Sequence, residues 1–132
     1  MSKLDRYAPQ AIAALRIITS LLMIEHATMK FFAFPAAMPM PGPLPPIIVA
    51  AGVIEIVTGT LILLGLFTRP AAFLASGTMA AAYFLGHATQ GFWPALNQGE
   101  PAIMFCFAFF VLIFTGPGAW SLDSLRRNRT AA

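Results

Sequence analysis

Apolar positions along the chain fall into four long blocks, each closed by proline, glycine or a short polar segment. The first runs from about Pro9 to Phe34. Pro35, Pro39, Pro41, Pro43, Pro45 and Pro46 follow, a density that prevents helix from continuing and predicts a rigid, uncharged turn. The second block starts near Pro46, whose missing N–H is harmless in a first helical turn, and runs to Leu66 before Thr68, Arg69 and Pro70 break it. The third runs from about Pro70 to Ala88, after which Gly91, Pro94, Asn97, Gln98 and Gly99 predict a polar loop edged by Phe92 and Trp93. The fourth and shortest runs from Pro101 to Thr115 and closes at Gly116, Pro117 and Gly118. Each block approaches the roughly 20 residues that cross about 30 Å of hydrocarbon, and a backbone in lipid is satisfied by helix far more readily than by irregular chain. The pattern therefore predicts an all-α integral membrane four-helix bundle, a single domain over 1–132 with spans at about 9–34, 46–66, 70–88 and 101–115.

Composition removes the soluble alternative. In 132 residues, 58% are hydrophobic and 10% charged, and a mean hydropathy of +0.77 leaves too little polar surface to hold such a body in water. The net charge of +3 and a pI near 9.6 would suit a nucleic-acid binder, but the bases are scattered at segment ends, so no nucleic-acid partner is expected. Topology explains them. With the N-terminus cytoplasmic, Lys3, Arg6, Arg69, Arg126, Arg127 and Arg129 all fall on the inner side, and the two outer loops carry no Lys or Arg. Both termini are thus expected in the cytoplasm. Arg16, Glu25, His26 and Lys30 interrupt the first block, so it reads as a retained span and not as a cleavable signal. A single cysteine, Cys106, excludes an intrachain disulfide and a paired-thiolate metal site.

Arg16, Glu25, Lys30 and Glu55 lie inside expected spans, where an unpaired charge costs about 2.5–3.5 kcal/mol on insertion scales. Their formal charges sum to zero, which permits internal pairing. At about 100° per residue, Arg16, Ser20, Met23, Ala27 and Lys30 share one face of the first helix, with Thr19 and His26 on its shoulder and Glu25 almost opposite Arg16. On the second helix, Gly52, Glu55 and Gly59 share a face narrow enough for close packing, which favours contact of Glu55 with Arg16 or Lys30. Two readings stay open: a glycine-packed interface with a structural ion pair, or one polar pocket open to the outer half, lined by Arg16, His26, Lys30, Glu55 and His87. His26 and His87 supply only two of the usual metal ligands, so no metal site is expected, and imidazole near its working pKa suits proton exchange with a ligand carbonyl. Tyr83, four residues before His87, is expected on the same helix face.

Several separated motifs carry a family resemblance. Arg16 is followed by His26-Ala27-Thr28-Met29-Lys30; the second helix reads Gly52-Val53-Ile54-Glu55-Ile56-Val57-Thr58-Gly59 and ends Leu64-Gly65-Leu66-Phe67-Thr68-Arg69. Later come Asn97-Gln98-Gly99-Glu100 and Gly116-Pro117-Gly118-Ala119-Trp120-Ser121-Leu122-Asp123. In order and spacing these resemble the DoxX family of small four-helix membrane proteins, with Ala27 standing where the family usually has glycine. The resemblance covers nearly the whole chain. It implies a place in the inner membrane of a bacterial or archaeal cell and membrane redox work, as in subunits similar to those of thiosulfate:quinone oxidoreductase. It also adds Glu100 to the candidate ligand-binding set of Arg16, His26, Lys30, Glu55 and His87.

No dinucleotide fingerprint, Cys-x-x-Cys pair or haem attachment motif occurs, so no covalently bound cofactor is expected and electrons would have to come from a partner. Two functional readings follow. One is a quinone-interacting subunit of a membrane oxidoreductase, in which Arg16 or Lys30 stabilises developing oxyanion charge while Glu55 and His26 orient or protonate the ring. The other is a non-enzymatic anchor or assembly protein whose ion pairs lock the bundle and whose basic tail recruits a soluble partner. A transport path would need a homo-oligomer to enclose it.

Overall fold

A computed structural model describes residues 3–130. The outermost residues of the domain expected over 1–132 lie outside the described residues. The described chain is helical throughout its regular structure: α1 (Ala8–Phe32), α2 (Pro46–Leu64), α3 (Thr68–Ala82), α4 (Pro94–Asn97), α5 (Glu100–Thr115) and α6 (Leu122–Thr130). The punctuation expected from proline and glycine sets most of these limits. Pro9, Pro46 and Pro101 sit in first turns, where no intrahelical N–H is needed. Gly65 ends α2 in the left-handed conformation, its N–H returning to the Ile62 and Leu61 carbonyls.

Four expected boundaries differ. The first and second spans end at Phe32 and Leu64, not at Phe34 and Leu66. The third helix begins at Thr68, because Pro70 is tolerated in a first turn and Asp123 accepts the N–H groups that this turn leaves free. It also ends early as α-helix: Tyr83–His87 is a π-helical segment and Ala88–Gln90 a 3-10 turn.

α1 packs on α2, α2 on α3, α3 on α5 and α5 back on α1, so these helices close a ring, with the most extensive contacts between α3 and α5 and between α1 and α2. Small residues permit the close approaches. A Cβ on Gly59 would lie 2.8 Å from Ile24, and one on Gly52 would lie 2.7 Å from Phe31. Ala71, Ala72 and Ala75 on α3 are buried beside Phe109 and Leu112 of α5, and Ser76 Oγ donates to the Cys106 carbonyl across that interface at 2.9 Å. Outward, α1, α2, α3 and α5 expose large apolar side chains, among them Ile18, Val53, Phe73 and Phe107, a surface suited to hydrocarbon and rare on soluble monomers. The 28 residues of Asp5–Phe32 and the 19 of Pro46–Leu64 are long and apolar enough to cross a membrane, while Glu100–Thr115 is a shorter apolar helix.

Candidate functional site

The intramembrane charges occupy two separate levels of the ring. At the first, Arg16 is wholly buried (0% exposed), and all five of its N–H donors are used. Nη1 donates to the carbonyls of Ile62 (2.9 Å) and Leu63 (2.6 Å) in the last turn of α2. Nε donates to Pro117 at 2.9 Å, and Nη2 to Ala119 and Trp120 at 3.2 and 2.8 Å. The guanidinium thereby satisfies carbonyls that a helix end leaves without partners and complements the negative end of the α2 dipole. The chain around it is shaped to fit. Gly65, at φ +65°, has no room for a Cβ, which would meet Ser121 Cβ at 2.4 Å and Arg16 Nη1 at 2.8 Å. Gly118, at φ +69°, lies against α1, where a Cβ would meet the Pro9 carbonyl at 2.5 Å.

The same end of the molecule caps two further helices. Asp123 accepts from the Phe67 and Thr68 N–H groups, at 2.9 Å each, across the N-terminus of α3. Burial opposes ionisation of this carboxyl, but the backbone bonds from Thr68 and Phe67 and the charge of Arg126 prevail and hold its pKa below the usual value. The Thr68 hydroxyl contributes in the same direction electrostatically, although it completes no hydrogen bond of good geometry. Arg69 Nη1 donates to the Ile113 and Phe114 carbonyls, at 2.7 and 2.8 Å, at the C-terminus of α5. A cleft of about 620 Å³ opens beside these groups, with Thr68, Arg69, Asp123 and Arg127 on its walls, and the Arg126 guanidinium lies 4.8 Å from the centre of the Phe67 ring.

Nearer the other end, Lys30 and Glu55 form a salt bridge from α1 to α2, their side chains 9% and 4% exposed. Gly52, one turn before Glu55, brings α2 against Phe31 and the stem of Lys30. His26 is exposed. Its Nδ1 lies 2.8 Å from the Leu22 carbonyl, which can only accept, so Nδ1 carries the proton and Nε2 is the open ring nitrogen. The ring meets Phe105 of α5 edge-on at 5.6 Å. Glu25 is also exposed, facing away from the ring interior, as its position opposite Arg16 requires.

The six candidate residues are therefore not gathered into one chamber. Lys30 and Glu55 meet. Arg16 contacts α2 at Ile62, seven residues and about 10 Å along the helix from Glu55. His26 lies on the outer surface of α1. His87 Nδ1 accompanies the Asn97 carbonyl at 3.0 Å in the loop before α5, and Glu100 is exposed in the first turn of α5, favourable for a negative charge at a helix N-terminus. Sequence reasoning missed Asp123 and Asn97 as organising residues. Asn97 is buried, donates to the Gly91 carbonyl and accepts from Gly99 N–H, so it staples the loop before α5. Both lay within recognised motifs, the signal being an Asx residue in a turn-rich segment, two positions before Gly99 for Asn97 and five after Gly118 for Asp123. Among the described residues, no group of three or more His, Cys, Asp or Glu side chains is arranged to hold a metal ion.

Comparison with known proteins places these features in a family. The DoxX family model matches residues 11–88, from the start of α1 through the π segment. An uncharacterized protein of Haemophilus influenzae is 43% identical over 129 residues, covering 94% of this chain and 96% of its own length. An uncharacterized membrane protein of Mycobacterium tuberculosis is 31% identical over 144 residues, covering 94% and 86% respectively. No solved structure matches the chain.

Proposed function

This chain belongs to the DoxX family of membrane proteins, and from that membership we propose that it is a multi-pass inner-membrane bundle of four crossings that anchors and presents a partner of a redox system. In this reading α1, α2, α3 with its π extension, and α5 each cross the bilayer, and the N- and C-termini face the cytoplasm. The observation that supports it is where the polar groups are used. Inside the ring, Arg16 is consumed by backbone carbonyls and Glu55 by Lys30, an arrangement that locks helices together. At the cytoplasmic end, the cleft beside Asp123 and the basic face of α6 remain open to another molecule. The experiment is charge reversal of Arg126, Arg127 and Arg129 to Glu in the full chain, followed by quantitative co-purification from native membranes. The proposal expects a specific co-purifying protein to be lost while the bundle keeps its thermal stability; an unchanged set of co-purifying proteins would sink it.

A second reading keeps the quinone contact, now at Lys30 and Glu55 alone. It is favoured by one detail: among the described residues the Lys30 ammonium donates only to Glu55, so donors remain for a ring oxygen whose charge grows on reduction. Electrons would reach the ring from a partner carrying a redox centre. Titration with a quinone analogue decides it, since Glu55→Gln and Lys30→Met should each weaken binding about ten-fold, and unchanged affinity in both removes the contact.

A further inference from the structure

Glu25 is the intramembrane charge for which the ring supplies no partner. It lies seven residues before the end of α1, exposed, with no ion pair or side-chain hydrogen bond among the described residues. The shallow hollow on one side of it, about 440 Å³, is lined by Leu21, Ile24, Thr28, Phe34 and Pro35 and offers no cation or ring nitrogen. The Thr28 hydroxyl there is already committed to the Glu25 and Phe34 carbonyls. A carboxyl group on a lipid-facing helix surface is stabilised by a polar partner, and here only another molecule can supply one.

The next residue shows which molecule. His26, also exposed, keeps Nδ1 on the Leu22 carbonyl and presents Nε2 without a partner. Between the directions of Glu25 and His26 runs an apolar stripe, Ala11, Leu15, Ile18, Leu22 and Met29, spaced by three, four or seven residues, with Ile18 56% and Leu22 44% exposed. At about 100° per residue, Glu25 lies about 50° to one side of this stripe and His26 about 50° to the other. Two such faces brought together around a two-fold axis along the membrane normal pack stripe on stripe. Each Glu25 then falls beside the His26 of the other copy, at nearly the same depth. Two-fold contacts are reciprocal, so one surface supplies acid and base twice. A single proton, on the carboxyl oxygen or on Nε2, completes each hydrogen bond.

We propose that α1 of this chain pairs with α1 of a second, parallel copy, through the Ala11–Met29 stripe flanked by reciprocal Glu25–His26 hydrogen bonds. This goes beyond either functional reading above and depends on neither. The test uses the full-length chain in native membranes with Cys106→Ala, adding Leu22→Cys at the centre of the stripe or, as a control, Phe73→Cys on the exposed face of α3. Mild oxidation should cross-link the Leu22→Cys chain to itself and leave the control monomeric. Glu25→Ala or His26→Ala should weaken self-association about ten-fold, and the exchanged pair Glu25→His with His26→Glu should restore it, which a merely misfolded variant would not do. Equal cross-linking at both positions, cross-linking indifferent to Glu25→Ala and His26→Ala, or no rescue by the exchange would each overturn the proposal.

Discussion

Arg16, on a helix long and apolar enough to cross a membrane, spends its charge on the backbone. Its planar fork meets five carbonyls contributed by α2 and by the 117–120 turn, and no other side chain offers five donors in one plane. Arg16→Lys keeps the charge but has three donors, so it leaves carbonyls unsatisfied in a low-dielectric interior. We expect a loss of at least about 3 kcal/mol, read as a lowered unfolding midpoint in detergent micelles; a midpoint equal to that of the parent chain would contradict the assignment. Asp123 acts from outside the spans and gives a pH signature. Its folded pKa is depressed by the N–H groups it caps. Its contribution is therefore complete above the ordinary carboxylate range and is lost as pH falls through the lower folded value. Asp123→Asn should reduce stability near neutrality by about 1 kcal/mol, as expected for a helix cap, and should flatten the acid limb of a stability-versus-pH curve. Unaltered acid sensitivity would place the responsible carboxylate elsewhere.

Between elements, the α1–α2 contact rests on glycine. A side chain at Gly59 would begin 2.8 Å from Ile24, whereas Gly77 on α3 has nothing within 4 Å of its Cβ position. Gly59→Leu should wedge α1 from α2, cost about 1–3 kcal/mol and loosen the Lys30–Glu55 pair one turn away. Gly77→Ala should leave stability unchanged or raise it by up to about 1 kcal/mol, since alanine is the better helix former at an open position. Thermal unfolding of both variants checks the contrast, and equal effects would mean that helix propensity, not close approach, governs these sites. The helix edges near Pro46, Pro101 and Gly116 were readable because each residue acts on the backbone where it stands. The π segment at Tyr83–His87 was not, because the seven residues from Tyr83 to Thr89 contain no proline, and a wider turn is decided by how the chain packs. The opposition of Glu25 and Arg16 needed only helical periodicity and is seen directly in their exposures.

For the whole molecule, periodicity told which charges could not all face lipid, but not which end each would serve. The partners of Arg16 are backbone carbonyls, which every residue possesses, so no pattern of side chains could announce them. The arrangement also makes sense of the motifs. Gly65 and the distant pair Gly118 and Asp123 converge on one end of the ring, where Ala119 N–H also meets the Pro9 carbonyl at 2.9 Å. Arg6, Arg69, Arg126, Arg127 and Arg129 belong to this end, and the loop between α1 and α2 at the other carries no Lys or Arg. If the bilayer reads that asymmetry in the usual way, the basic end lies in the cytoplasm. In the Cys106→Ala chain, Ala36→Cys in the α1–α2 loop should react with an impermeant maleimide in intact cells. Arg129→Cys in α6 should react only after the membrane is opened. The reverse pattern would invert the molecule, and reaction of both in intact cells would mean an even number of crossings between them, which would rule out the proposed path of α2, α3 and α5.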